Sequence, residues 1–405
     1  MGHSQYLNLP LIQIADITGV YGISFLVVMI NAAIADLIER FLVRKKLKLE
    51  MYSTITFGKK RIFLFFTITT TCLLLFTALL YGYFGLANCK SLQSGPSVCL
   101  VQGNIPQSVK IDHDEKQQEE ILMKYINLSQ KAIGKETDLI IWPETMAPGF
   151  LNVNPKILDR EIDWLSKESV HNLANKTHAN LLVGGTAIDI DINKKKTSYY
   201  NTAFYYNRNG KFVDRYDKIH LVPFGEFIPF EGYFPFLSHL VPYNVSLSNG
   251  DRKTIFELNS KNGHKKFRFG VIICYEDSVA PLLRDFRKER VDFMVNITND
   301  AWFCDSSELD QHLAIMVFRA VENRICIVRA ANTGISSFVA PDGKIYDYLE
   351  RDGRYREIDG ILCNEIRFME TPNTWYTNHG DMFAFSCIIV TSTLILASIT
   401  RRILA

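Results

Sequence analysis

Ile62 to Ala87 contains no charged residue, and that run limits the chain more than any other feature. About 20 apolar residues in a helix are enough to cross a bilayer. A buried core helix is the other way to hide such a segment, and it fits this run poorly. Ile17 to Ile38 is apolar or weakly polar apart from Asn31 and Asp36, and Met382 to Ile399 carries no charge. For these two a core helix is a workable alternative. Read as membrane helices, the three runs divide the chain. Residues 1–90 become a membrane region with helices at about 17–38 and 62–87, residues 97–370 a separate domain, and residues 380–405 a C-terminal membrane helix.

Charge sets the orientation. Arg40, Arg44, Lys45, Lys46, Lys48, Lys59, Lys60 and Arg61 lie between the first two runs, and Arg401 and Arg402 follow the third. The positive-inside rule places both groups in the cytoplasm, so the domain between the second and third runs is expected outside it. The first run must then begin outside, with no upstream segment to carry the N-terminus across. The start is therefore expected to be shortened or mis-assigned. No basic n-region or A-x-A-like site marks a cleaved signal, and MGHSQY lacks the Ser or Thr of a myristoylation signal.

A net charge of +2 over 405 residues gives no nucleic-acid footprint. The eight cysteines include no CxxC pair and no Cys/His cluster at metal spacing. Cys72 and Cys387 lie in apolar runs and read as packing residues. A pair among Cys89, Cys99, Cys304, Cys326 and Cys363 would oxidise if the domain faces an oxidising compartment.

Within the domain, VCLVQGN, LIIWPET, NLLVGGTAI, TAFYYN, FRFGVIICYE, FMVNITND, CIVRAAN and SSFVAPDG read as strands. Glu115 to Ile133 and His312 to Asn323 carry apolar residues on one helical face. Alternating strands and helices indicate a layered α/β domain. Asp342-Gly343 marks a hairpin turn. FIPFEGYFPFLSHLVPY, from Phe227 to Tyr243, is rich in aromatics and proline without a clean period. It reads equally as a loop packed on its own domain or as an apolar loop facing the membrane.

Three segments carry candidate chemistry. In RFGVIICYE the apolar run Phe269 to Ile273 ends in Cys274, followed by Tyr275, Glu276 and Asp277. Polar clusters at the ends of buried strands are where reacting groups sit in α/β proteins. In DLIIWPET a second apolar run ends in Pro143-Glu144, and in YDKIHLVPFGEFIP Lys218 and Glu226 flank a bent apolar loop. Taken singly, these read as a core cysteine, a cap or solvated carboxylate, and a surface lysine. Together they supply what thiol attack on a carbonyl requires: a base for the proton and a cation for the thiolate and the oxyanion.

This order of Glu, Lys and Cys resembles the nitrilase superfamily, whose triad has those three residues. WPET, HLVPFGEFIP, ICYED and the run NDAWF…QH…R…ENR…VRAANTG are closer to its apolipoprotein N-acyltransferase family, and the likeness spans nearly the whole chain. The resemblance implies an α-β-β-α sandwich anchored by transmembrane helices in the bacterial inner membrane, with the catalytic domain on the periplasmic side. It implies Cys274 as nucleophile, Glu144 as general base and acid, and Lys218 beside the oxyanion. Glu226 matches the superfamily's second glutamate, and Tyr275, Glu276 and Trp302 are supporting positions. The expected reaction moves an acyl chain from a phospholipid, through a cysteine thioester, to the amine of an S-diacylglyceryl cysteine on an apolipoprotein, without metal or organic cofactor. The family has more spans before the first apolar run, and it has Gly where Cys304 follows NDAWF. A cysteine there restricts a loop with positive φ. Phe230, Phe234 and Phe236 are expected to guide the acyl chain. His312, Arg319 and Glu322 read as paired structural charges. A membrane-tethered amidase and an inactive remnant that only binds are the rival readings.

Overall fold

The structure, a computed structural model, describes residues 1–38, 57–89, 92–107, 114–153, 160–191, 193, 195–230, 233, 246–261 and 265–404. The strands in chain order are β1 (Gln93–Gln102), β2 (Leu139–Ile141), β3 (Asn180–Asp191), β4 (Lys196–Tyr206), β5 (Phe212–Asp217), β6 (Ile255–Asn259), β7 (Lys266–Ile273), β8 (Phe293–Thr298), β9 (Cys326–Ala331), β10 (Ser337–Val339), β11 (Ile345–Tyr348) and β12 (Gly360–Phe368). Among the described residues they form two six-stranded sheets, ordered β12-β1-β2-β3-β4-β5 and β11-β10-β9-β8-β7-β6.

Side-chain alternation along the strands sets the layers. Val98, Leu100, Leu139 and Ile141 of the first sheet share an apolar core with Phe256, Phe269, Val271 and Ile273 of the second. Their neighbours Cys99, Val101, Ile140 and Trp142 face the other way, against helices α5 (Glu115–Gln130) and α6 (Glu161–Thr177). On the second sheet Met294 and Ile272 pack with α7 (Ala280–Lys288) and α8 (Glu308–Asn323). The order is α-β-β-α, as the resemblance implied. The strands β1, β2 and β3 run parallel, as do β7, β8 and β9. Their carboxyl ends are therefore where loops gather.

The strand-like runs of the sequence all appear as strands. β1 starts earlier than Val98, because Gln93 and Ser94 pair with Phe368 and Arg367 of β12. The turn at Asp342-Gly343 joins β10 to β11, with Gly343 at φ +83°. Strands β5, β6, β11 and β12 lie at or next to sheet edges and were not expected. Charged and apolar residues are mixed in FVDRYD, IFELN and IYDY, so these edges resemble loops in sequence.

Ahead of the domain come short helices α1 (Leu9–Ile12) and α2 (Ala15–Thr18), then α3 (Val20–Ile38) and α4 (Phe57–Asn88); α9 (Trp375–His379) and α10 (Met382–Leu404) follow it. Val20–Ile38, Leu64–Ala87 and Met382–Ile403 are long and apolar enough to cross a membrane. Phe65, Phe66, Phe76, Ile389 and Leu394 point outward from these helices. Water would penalise that surface, and hydrocarbon would not. A buried polar knot fastens the N-terminal helices to α8. The Arg324 guanidinium lies 2.6 Å from Asp16, which also accepts from the Tyr81 hydroxyl at 2.9 Å. Arg324 donates to Gln13 as well, and the Val20 N–H donates to Glu322.

Cys99 and Cys363 face each other across β1 and β12 and are joined as a disulfide, 264 residues apart in sequence. Closing so long a loop restricts the unfolded chain, a contribution of about 2–4 kcal/mol. Replacing both cysteines by serine is expected to lower stability by about that amount in denaturant titration. Alkylation without reductant is expected to leave both thiols unlabelled in the wild type.

Candidate active site

The carboxyl ends of β2 and β7, with the loop after β5, converge between the sheets. Beyond β2, Trp142 is buried and donates from Nε1 to Ser129 at 2.8 Å, which fixes the strand end and aims the next residues inward. Pro143 and Glu144 then turn close to β3. A Cβ on Gly184 would sit 2.0 Å from the Pro143 carbonyl oxygen, so this approach needs glycine. Glu144 is buried. Its Oε1 accepts from Asn201 Nδ2 at 2.7 Å, and its Oε2 from the Asn299 N–H at 2.8 Å. Lys218 Nζ lies 3.5 Å from Oε1.

Lys218 follows β5 and is 1% exposed. Its backbone is fixed to β4 through Asn201 and to the following loop through Gly250. Its ammonium lies 2.9 Å from Glu226 Oε1. Glu226 is held in turn by the Val222 N–H at 2.9 Å and Asn201 Nδ2 at 3.0 Å. Burial alone would lower the Lys218 pKa. The charges of Glu144 and Glu226, with the hydrogen bond to Glu226, oppose it, and the ammonium is held above the ordinary lysine value.

Cys274 opens a 3-10 turn, Cys274–Ser278, with φ +50°. That conformation is uncommon for a residue with a side chain and recurs at functional sites. Burial pushes its thiol well above the usual range and Glu144 adds to this, while Lys218 and a hydrogen bond with Thr298 pull the other way. At rest the site thus holds a neutral thiol beside a charged lysine. Attack by such a thiol needs a base to take its proton, and Glu144 is the buried carboxylate that raises it.

Glu276 joins the two halves. Its Oε1 accepts the Ile219 and His220 N–H groups at 2.8 and 3.0 Å, beside Lys218. Its Oε2 accepts the Ile273 N–H at 2.8 Å, beside Cys274, and the Tyr216 hydroxyl reaches both oxygens at 2.9 Å. Burial pushes its carboxyl up to about 7, and the N–H groups of His220 and Ile273 draw it back toward the ionised form.

Behind the cysteine, Arg329 of β9 is fully buried. It lies 2.8 Å from Asp300 and 3.4 Å from Asp277 and donates to Asn296. Thr298 donates to Asp300, and His312 bridges Asp300 and Glu308. Burial would raise the Asp300 carboxyl, but Arg329, His312 and Thr298 hold it below the usual carboxylate range. His312, Arg319 and Glu322 are paired charges, Arg319 lying 3.0 Å from Glu322. Cys304 takes φ +49°, the glycine-like conformation anticipated for that position.

Glu144, Lys218, Cys274, Glu226 and Glu276 thus meet in one place. Tyr275 and Trp302 are exposed beside it, and Phe230 is 71% exposed at the end of the lysine loop. Phe234 and Phe236 lie outside the described residues. Sequence reasoning missed Asn201, Thr298 and the Arg329 cluster. A polar residue directly ahead of the TAFYYN run, in the same strand, was the available signal for Asn201.

The chain belongs to the carbon-nitrogen hydrolase family, whose model matches residues 97–368. Its strand ends carry the carboxylate, amine and thiol described above. Its branch is that of the apolipoprotein N-acyltransferases. The model of that enzyme's N-terminal domain matches residues 1–33. The apolipoprotein N-acyltransferase of Geobacter metallireducens is 36% identical over 96% of this chain and 67% of its own length. That of Rickettsia prowazekii is 32% identical over 96% of this chain and 69% of its own. The chain spans about two thirds of the length of these relatives. Among solved structures, Nit3 of Saccharomyces cerevisiae, from the nitrilase superfamily, is 24% identical with a TM-score of 0.47, covering 68% of this chain and 91% of its own.

Glu276→Gln keeps the side chain's shape but turns an NH2 group toward backbone N–H donors. Acylation of Cys274 by an ester is expected to fall by on the order of 100-fold through misplacement of the cysteine and lysine, with the far-UV circular dichroism unchanged. Rapid-quench mass analysis checks it.

Proposed function

We propose that this chain is a membrane acyltransferase that moves a fatty acyl group from a phospholipid to the N-terminal amine of an S-diacylglyceryl apolipoprotein. The observation that carries the reading is the meeting of Glu144, Lys218 and Cys274 in a domain continuous with apolar helices. In the first half, Glu144 takes the Cys274 proton as sulfur attacks the ester carbonyl, and the Lys218 ammonium stabilises the oxyanion. The carbon–oxygen bond then breaks, Glu144 returns the proton to the departing alkoxide, and lysophospholipid leaves. In the second half, the acceptor amine attacks the thioester. Glu144 takes a proton from nitrogen and gives it to the leaving thiolate, restoring Cys274. Glu226 holds Lys218 in place. No metal or organic cofactor enters either half.

In this reading residues 97–370 are the catalytic domain, on the periplasmic side of the inner membrane, between membrane helices in residues 1–90 and 380–405. The basic clusters flanking the apolar runs support this orientation, and so does a disulfide in the domain. Both substrates are lipid-anchored, which suits an enzyme held at the bilayer.

Incubation with phospholipid is expected to give a hydroxylamine-labile acyl adduct on the intact protein, with lysophospholipid released and no adduct on Cys274→Ala. A folded wild type that takes no adduct would turn the reading toward the amidase or the remnant. The exposed ring of Phe230 lies in the segment expected to guide the acyl chain, together with Phe234 and Phe236. Replacing all three with serine is expected to raise the apparent KM for phospholipid several-fold with unchanged folding; unaltered lipid kinetics would remove the loop from the substrate path.

A further inference from the structure

We infer that Asn201, a residue of β4, is a positioning residue that keeps the Glu144 carboxylate separate from the Lys218–Glu226 ion pair. The inference deepens the proposed reaction and rests on Glu144 acting there as the base.

The geometry is a four-membered ring of donors and acceptors. Two acceptors, Glu144 Oε1 and Glu226 Oε1, alternate with two donors, Asn201 Nδ2 and Lys218 Nζ. The amide stands 2.7 Å from Glu144 and 3.0 Å from Glu226, and the ammonium stands 3.5 Å from Glu144 and 2.9 Å from Glu226. The shortest link to Glu144 in the ring thus comes from the neutral amide. The cation sits against Glu226. A donor on Glu144 steadies its ionised, proton-accepting form. Asn201 supplies Glu144 with a strong donor that adds no net charge, and so leaves the ammonium for the developing oxyanion.

Two further observations separate this role from ordinary packing. The amide orientation is dictated, because the flipped form would set its oxygen against two carboxylate oxygens. That orientation also leaves Asn201 Oδ1 buried without a hydrogen-bond partner among the described residues. The backbone of the same residue accepts the Lys218 N–H at 2.8 Å, so one residue registers both the base and the cation. The other groups facing Glu144 are Cys274 from the turn after β7 and the Asn299 N–H at the end of β8. Asp300 stands behind Cys274, its charge matched by Arg329.

The test uses the full chain in detergent and a short-chain p-nitrophenyl ester. The nitrophenolate burst measures acylation of Cys274 without requiring phospholipid recognition; Cys274→Ala supplies the blank. Asn201→Leu removes the donors, and Asn201→Asp replaces them with a further negative charge. Both changes make Glu144 hold its proton more tightly. The acid limb of the burst rate is expected to move up by about one pH unit in each, giving about a tenfold slower burst at pH values on that limb and recovery to the wild-type rate above it. A loss by the same factor at every pH, or an unmoved limb, would overturn the inference. Should the leucine variant not fold, the isosteric aspartate variant decides; failure of both to fold would assign Asn201 to the scaffold and overturn it as well. A wild type that shows the burst but takes no acyl group from phospholipid would sink the proposed substrate and leave the role of Asn201 to be judged on the pH profiles alone.

Discussion

Hydrogen-bond donors from both sheets end on the single carboxyl group of Glu276, and the geometry of the site depends on it. Ile219 and His220 belong to the loop leaving the first sheet, and Ile273 closes a strand of the second. Apolar packing between the sheets is non-directional and tolerates small slips. Directional bonds to one carboxyl do not. They hold Lys218 and Cys274, which come from different sheets, in one frame. The Tyr216 hydroxyl, also fully buried, completes that frame from β5.

Around this frame the site deals with charge by pairing it at several depths. An isolated buried ammonium or carboxylate is too costly to keep. Lys218 is matched by two glutamates, and Arg329 by two aspartates. The first cluster faces the thiol, and the second backs the turn that carries it. Gly334 lets the second cluster close: a Cβ there would lie 1.9 Å from Asp300 Oδ2. The ICYED, NDAWF and VRAAN motifs, far apart in sequence, are therefore parts of one ionic structure.

The candidate Glu, Lys and Cys were legible in the sequence for a physical reason. Each adjoins an apolar run or a Pro/Gly-bent loop, and a polar residue at such a boundary stands out. Central strands were legible because burial on both faces leaves continuous apolar runs. Asn201 was not, because it sits inside a strand and its two carboxylate partners come from other elements. The Arg329 cluster was hidden for the same reason: a charge in sequence reads as solvated until its partners are placed. Edge strands escaped notice because one solvated face gives them the composition of loops. The three apolar helices followed from length and composition alone, whereas the Asp16–Arg324 knot that ties the N-terminal helices to α8 depends on residues 308 apart.

The bond between Cys99 and Cys363 also changes how the chain is held together. It joins the first strand after α4 to the last strand before α10, so most of the chain between those two helices becomes a closed covalent ring. The connections to α4 and α10 leave that ring from adjacent strands at one edge of one sheet. A peptide bond cut anywhere between these cysteines would open the ring without releasing a fragment. In a compartment where proteases act from outside, a nicked molecule would keep both halves of its site on the same tether.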